Sequence, residues 1–321
     1  MKQFLTFMLL MLCAGTIYAQ QDAQQSQYMF NGIYINPAYA GYKENLNLHT
    51  YYRSQWTGIP GSPVSTALAI DAIANEGNVG LALQISSDKL GAESDFTVYG
   101  NYAYRLKMND DGSSRLAFGL GLGLQQLGIN TAILNPNDPE ATLPTNSQNT
   151  LVPDARLGVY FSNDKFYAGV SADNLVSQYI SFKAYQYIAQ PKPHYYLTAG
   201  FLANISDGLK LKPSFLLKDD TGGPTSLDLN AFLLFGDKLW VGGSYRTGVK
   251  LYNKSYLQND LSSLNSIVGA VEFFPIENLR IGYGYDMSVG PLKTYSGGTH
   301  EISIGFFFDS AKSRMLTPRY F

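Results

Sequence analysis

From Asn45 almost to its end the chain alternates residue by residue between two chemistries, and the charges keep to one of them. Over residues 114–127, Leu116, Phe118, Leu120, Leu122 and Leu124 fall on one side of an extended strand, while Ala117, Gly119, Gly121, Gly123 and Gln125 fall on the other. The same parity turns Val79, Leu81, Leu83 and Ile85 outward, with Leu279, Ile281, Tyr283 and Tyr285, and with Ile302, Ile304, Phe306 and Phe308. Inward go Arg53, Asp71, Arg105, Lys107, Arg156, Asp173, Lys210, Lys212, Asp228, Arg246, Glu272, Arg280, Asp286 and Glu301. An Arg or Lys on a lipid-facing strand position costs about 2–4 kcal/mol at the bilayer midplane. A transmembrane barrel needs this sorting and a soluble sandwich does not, so the expected fold is all-β, a closed antiparallel transmembrane β-barrel.

Turn residues divide the pattern into fourteen strands, at 45–54, 63–71, 78–86, 94–107, 114–127, 153–162, 165–173, 194–205, 208–218, 225–235, 238–247, 263–274, 278–287 and 298–308. Every second connection is short: 72–77, 108–113, 163–164, 206–207, around 236–237, and 275–277. The connections between them include the long 128–152, 174–193, 248–262 and 288–297, with 55–62, 87–93 and 219–224 as their shorter members. Outer-membrane barrels have short periplasmic turns, longer outer loops and an even strand number. Composition agrees. Charged residues make up 15%, there are 24 Tyr, 18 Phe and 31 Gly, and the net charge of −2 gives no reason to expect nucleic acid.

Residues 1–19 have the layout of a secretory signal peptide, with Lys2, an apolar run over 4–17 and Ala19 before polar Gln20-Gln21-Asp22. Cys13 is the one cysteine and is preceded by Leu12, so a lipobox is absent and the exported chain is expected to have no thiol chemistry. Residues 20–44 then form a periplasmic or plug segment, 45–308 the barrel and 309–321 a periplasmic tail. In the plug segment, Gln27-Tyr28-Met29-Phe30-Asn31 and Asn36-Pro37-Ala38-Tyr39-Ala40-Gly41 are too apolar for a free tail. Pro37 pushes Asn36 out of the helical region, so an irregular tether is expected, covered by the mouth or lumen of the barrel.

Little else points to chemistry. Gly119-x-Gly121-x-Gly123 lies within a strand with no helix after it, so it is no nucleotide loop. His49, His194 and His300 stand near different strand ends, and inward hydrogen bonding is expected of them rather than metal ligation. No G-x-S-x-G elbow occurs, and Asn135-Pro136-Asn137-Asp138-Pro139-Glu140 lacks calcium-loop spacing. No catalytic residue, metal site or cofactor is expected. The inward charges admit two readings. They form a self-satisfied network that holds the barrel shape, or part of them receives a polypeptide, either this chain's own 20–41 segment or a domain of another protein. Candidates for the second role are Arg53, Trp56, Arg105, Arg156, Asp173, Asp228, Arg246, Arg280, Asp286 and Glu301.

The strings QYMFN and NPAYAG resemble the N-terminal signature of the PorP/SprF family of type IX secretion and gliding-motility outer-membrane proteins. Further similarity lies in Arg53-Ser54-Gln55-Trp56 with Gly61-Ser62-Pro63, in Asp173-Asn174-Leu175, in Trp240 and Ser244-Tyr245-Arg246, in Gly282-Tyr283-Gly284-Tyr285-Asp286, in His300-Glu301-Ile302 and in Pro318-Arg319-Tyr320-Phe321. The residues lead to the expectation of an outer-membrane barrel that is not an enzyme, and the resemblance implies a part in type IX secretion, binding and anchoring a secreted surface protein. It implies as partners outer-membrane lipid, the C-terminal domain of a secreted surface protein such as a gliding adhesin, and periplasmic secretion-ring and peptidoglycan-associated proteins. Two alternatives stay open. One is a plugged transporter for hydrophobic or small solutes, resembling the fatty-acid transporters, which also carry an Asn-Pro-Ala element. The other is a soluble β-sandwich module.

Overall fold

A computed structural model of the chain describes residues 25–133, 147–181, 188–254, 265–289 and 291–308. The expected signal peptide, Asn135 to Glu140 and the expected 309–321 tail lie outside the described residues. The strands are β1 Leu46–Ser54, β2 Val64–Ala74, β3 Val79–Leu90, β4 Glu93–Lys107, β5 Arg115–Ile129, β6 Gln148–Ser162, β7 Phe166–Asp173, β8 His194–Phe201, β9 Ala203–Ser206, β10 Leu209–Asp220, β11 Ser226–Phe235, β12 Leu239–Gly248, β13 Ser266–Ile276, β14 Leu279–Ser288 and β15 Thr299–Phe308. β8 and β9 are one stave interrupted at Leu202, because both pair with β10. The wall therefore has the expected fourteen staves, each antiparallel to its neighbours. It closes through β1 on β15, from Leu46 opposite Phe308 to Ser54 opposite His300. Closure satisfies the backbone of every strand, which hydrocarbon demands.

The expected faces hold along the staves. Leu120, Leu122, Leu124, Ile281 and Ile304 are exposed, while Arg53, Asp71, Arg105, Arg156, Lys212, Asp228, Glu272, Arg280 and Glu301 are buried. Two charges at strand ends differ. Lys107 is exposed at the rim, and Lys210 pairs there with Asp237 at 2.7 Å. His300 is a correction: it shares the outward parity of Ile302 and Ile304, and its Nδ1 lies 2.8 Å from the Tyr283 hydroxyl. His49 and His194 are buried on the inner face.

Strands β3 to β6 exceed their expected lengths on the long-loop side. β3 and β4 run to Leu90 and from Glu93, which leaves a two-residue turn where a loop over 87–93 was expected. β5 and β6 pair as far as Ile129 opposite Gln148. Alternation misses these ends because they pass into water and their outward residues turn polar.

The lumen is filled from two directions. From the short-turn side comes the segment before β1, built of three single-turn 3-10 helices, Tyr28–Phe30, Gly32–Tyr34 and Pro37–Tyr39. From the long-loop side, the segment after β7 folds inward, where Ile188 and Ile180 pack on Leu127, Val152 and Ile129. Replacing Leu122 by Arg, in the middle of the outward row of β5, is expected to destabilise the barrel by about 2–4 kcal/mol. Loss of the heat-modifiable, fast-migrating folded band on gels, with wild-type behaviour for Leu122→Ile, checks this.

Candidate functional site in the barrel lumen

The N-terminal segment has too few backbone bonds of its own to be a domain, yet it is almost wholly buried: Tyr28, Met29, Phe30, Ile33, Ala38 and Tyr39 all are. Its local structure follows from sequence. Asn36 is extended, with φ −148° and ψ 116°, and its side chain accepts from the Ala38 N–H at 2.9 Å. It thereby caps the turn that Pro37 opens, where a missing N–H costs nothing. The amide of Asn36 then donates to the Val159 and Val170 carbonyls at 3.1 and 3.2 Å, which ties the plug to the β6–β7 pair. The expected extended conformation of Asn36 is found, but the tether consists of 3-10 turns rather than irregular chain.

The wall is shaped to this plug. A Cβ on Gly119 would overlap the backbone of Ala38, and one on Gly80 would overlap the Ala40 carbonyl. Both glycines face the lumen, Gly80 as the second residue of β3 and Gly119 well inside β5, where glycine otherwise weakens a sheet. The bare face of β5 in the sequence thus marks another backbone passing close by, at Gly119. Gly121 and Gly123 instead make room for Arg156, Asn101 and Tyr99.

The inward charges meet the plug in four places. Near the long-loop end, Glu301 accepts from the Ser26 and Gln27 backbone N–H groups at 2.7 and 2.9 Å and from Arg53 Nη1 at 3.1 Å. Arg53 Nη2 reaches Asp286 at 3.2 Å. Arg246 lies 3.6 Å from Asp286, grips Asp228 through Nε and Nη2 at 2.8 and 2.7 Å, and donates to the Gln25 carbonyl at 3.3 Å. Charge alternates along this chain of five side chains, so each buried ion has an opposite neighbour, without which burial would be prohibitive.

Near the short-turn end three cations converge on carbonyls that the tight turn leaves without partners. Phe30 O accepts from Lys43 Nζ at 3.0 Å and Arg280 Nη1 at 2.9 Å, and Met29 O from Lys212 Nζ at 2.7 Å. Glu272 supplies a counter-charge 3.4 Å from Arg280. The Phe30 ring packs edge-on to Phe232, with centroids 5.1 Å apart, and lies 6.0 Å from Trp240. Burying such a ring contributes about 1.5–3 kcal/mol. At the base, Glu44 is held by Arg105 and Arg115, each 3.0 Å away, and both arginines also donate to the Gly77 carbonyl. Between the two ends, Arg156 bonds Asp173 at 3.1 Å, Gln84 at 2.8 Å and the Tyr34 carbonyl at 3.1 Å.

The structure therefore joins Arg53, Asp228, Arg246, Asp286 and Glu301 in one network. Arg156 and Asp173 form a second group, and Arg105 and Arg280 belong to the plug's base and its cation cluster. Gln27, Tyr28, Met29, Phe30, Asn36 and Gly41 touch the wall or its charges directly, the last through Asp71 at 3.2 Å. Trp56 stands apart. It lies in the 55–63 loop with φ +51° and is bonded through its backbone to Thr299 Oγ1, at the rim rather than in the lumen. Ser26, Lys43, Glu44 and Arg115 were missed by sequence reasoning. Parity alone places Arg115 inward with Ala117, but no local pattern marks the other three. The two readings of the inward charges thus merge, since the same side chains pair with each other and hold the chain's own segment.

The model of the family described as type IX secretion system membrane protein PorP/SprF matches residues 17–306. No curated protein matches the chain. Among solved structures, the chain is similar to the CymD monoaromatic hydrocarbon channel at a TM-score of 0.52 and 10% identity, over 87% of this chain and 93% of that one. A Pseudomonas aeruginosa FadL homologue gives 0.48 and 11%, over 93% and 97%. At these identities the likeness to CymD is one of fold only, an outer-membrane barrel.

Two outcomes are expected. Gly80→Val and Gly119→Val should unseat the plug while the barrel stays folded. Conductance in planar bilayers should then rise well above wild type, whereas Gly269→Val, on the open outer face, should leave it unchanged. Glu301→Ala should leave the buried Arg53 with Asp286 as its carboxylate partner and the Ser26 and Gln27 N–H groups without an acceptor, and cost about 3–5 kcal/mol, read as a lower thermal unfolding midpoint in detergent.

Proposed function

This chain belongs to the PorP/SprF family of type IX secretion system membrane proteins, and from that membership we propose that it anchors a secreted protein at the cell surface and connects it to the machinery beneath. It resides in the outer membrane. The C-terminal domain of the secreted partner, an adhesin-like surface protein, docks at the outer mouth. The periplasmic rim faces ring and peptidoglycan-associated proteins. The chain carries no enzymatic role in this reading.

One observation supports holding over conducting: wall glycines at positions 80 and 119 fit the backbone of a plug that charged side chains of the wall bond from Gln25 to Glu44. A pathway for solutes would have to dismantle that fit. A barrel that offers a rigid, closed platform has no need to. The alternative of solute transport predicts uptake that is independent of surface display.

Purification of the full chain from outer membranes in mild detergent is expected to bring a secreted surface protein with it, and deletion of the chain is expected to release that protein into the medium. Recovery of the barrel alone, together with robust uptake of hydrophobic solutes and unchanged surface display, would favour transport.

A further inference from the structure

We propose that Arg156 couples the N-terminal plug to the arm at the outer mouth, residues 174–181, so that loosening one loosens the other. Arg156 is 1% exposed and sits in the middle of the lumen wall on β6. On the plug side its Nη2 donates to the Tyr34 carbonyl at 3.1 Å. Two residues on, Asn36 holds the carbonyls of Val159 and Val170, so the plug is fastened to the same pair of strands that carries Arg156.

On the other side Arg156 reaches the arm by two routes. Its Nε bonds Asp173, the last residue of β7, after which Asn174 takes a left-handed φ of +58° and the chain turns inward. Its guanidinium also lies 5.3 Å from the centroid of the Tyr99 ring. The Tyr99 hydroxyl donates to Asp154 Oδ2 at 2.7 Å, and Asp154 Oδ1 accepts from the backbone N–H groups of Val176 and Ser177, each at 3.0 Å. Gln125 closes the circuit, donating to the Tyr99 hydroxyl at 2.7 Å and to Asn174 Oδ1 at 2.6 Å. The arm is held besides by the Leu175 bond to the Ala155 carbonyl, by Asn174 on the Lys192 carbonyl at 3.2 Å, by Gln190 on the Gln178 carbonyl at 2.8 Å and by the packing around Ile180.

A buried guanidinium cannot give up an acceptor without finding another, because an unpaired charge in this setting is far costlier than a pair. When the plug withdraws Tyr34, Arg156 keeps Asp173 and Gln84, but its buried Nη2 loses its acceptor and turns toward Asp154, drawing that carboxylate off the Val176 and Ser177 N–H groups. When the arm leaves, Asp173 and Tyr99 shift and the grip on Tyr34 is lost. Coupling of this kind is reciprocal, so any ligand that draws the arm outward lowers the cost of unseating the plug by the same factor.

Hydrogen exchange read by mass spectrometry on the full chain in detergent tests this, with peptides of β14 and β15 as the control for an intact wall. Gly80→Val loosens the plug far from the arm, and Asp154→Asn loosens the arm far from Gly80. Each is expected to speed exchange about tenfold in both 25–45 and 174–181. Arg156→Gln should do the same alone and should abolish the cross-effect of either variant. Exchange that rises only in the segment each variant touches, with the other still protected, would overturn the coupling. Should one of the two variants fail to fold, the other still decides.

Discussion

Everything in this molecule follows from the absence of water on one side of a sheet. In hydrocarbon a strand cannot leave its edge unpaired, so the sheet must close on itself, and the closing pair is β1 with β15. That seam is stitched from inside. Arg53 on β1 is paired with Glu301 on β15, and Glu301 also accepts the backbone of Ser26 and Gln27. Closure of the wall and seating of the plug therefore share a carboxylate, and neither can be described without the other.

The lumen of such a barrel is wide enough to need filling, and the chain fills it with the backbone and rings of the plug packed against large inward side chains of the wall such as Phe232, Trp240 and Phe307. Short 3-10 turns leave carbonyls without partners, which would be costly in an apolar interior. Here they become the acceptors of Lys43, Lys212 and Arg280, three cations that in turn would be costly without acceptors. Each liability cancels another, and Glu272 supplies counter-charge.

The fold was legible because a membrane imposes one rule on every stave: the parity of Leu116 to Leu124 and of Arg53, Asp228 and Arg280 needs no tertiary information. The plug was legible as a segment, since Tyr28, Phe30 and Tyr39 demand cover, and Gly119 announces something close by. Its partners were not. Ser26, Lys43 and Glu44 have no periodicity to place them: the groups that Ser26 and Glu44 bond lie on strands far away in sequence, and Lys43 folds back on the plug's own Phe30 carbonyl. Trp56, grouped with the lumen charges by its neighbour Arg53, turns out at the rim because the strand ends at Ser54. His300 shows the reverse case: outward parity overrides the usual preference of a polar ring for the interior, and two tyrosines give it company.

The contacts of residues 25–27 carry a temporal meaning. These residues are among the earliest of the described chain to be synthesised, yet the groups that hold them, Arg246, Asp286 and Glu301, belong to the last third of it. Until β15 exists the first turn of the plug has nowhere to go, and Tyr28, Met29 and Phe30 are left uncovered. A half-built barrel thus wears its incompleteness as a greasy, unanchored leader, and only the finished one can tuck it away.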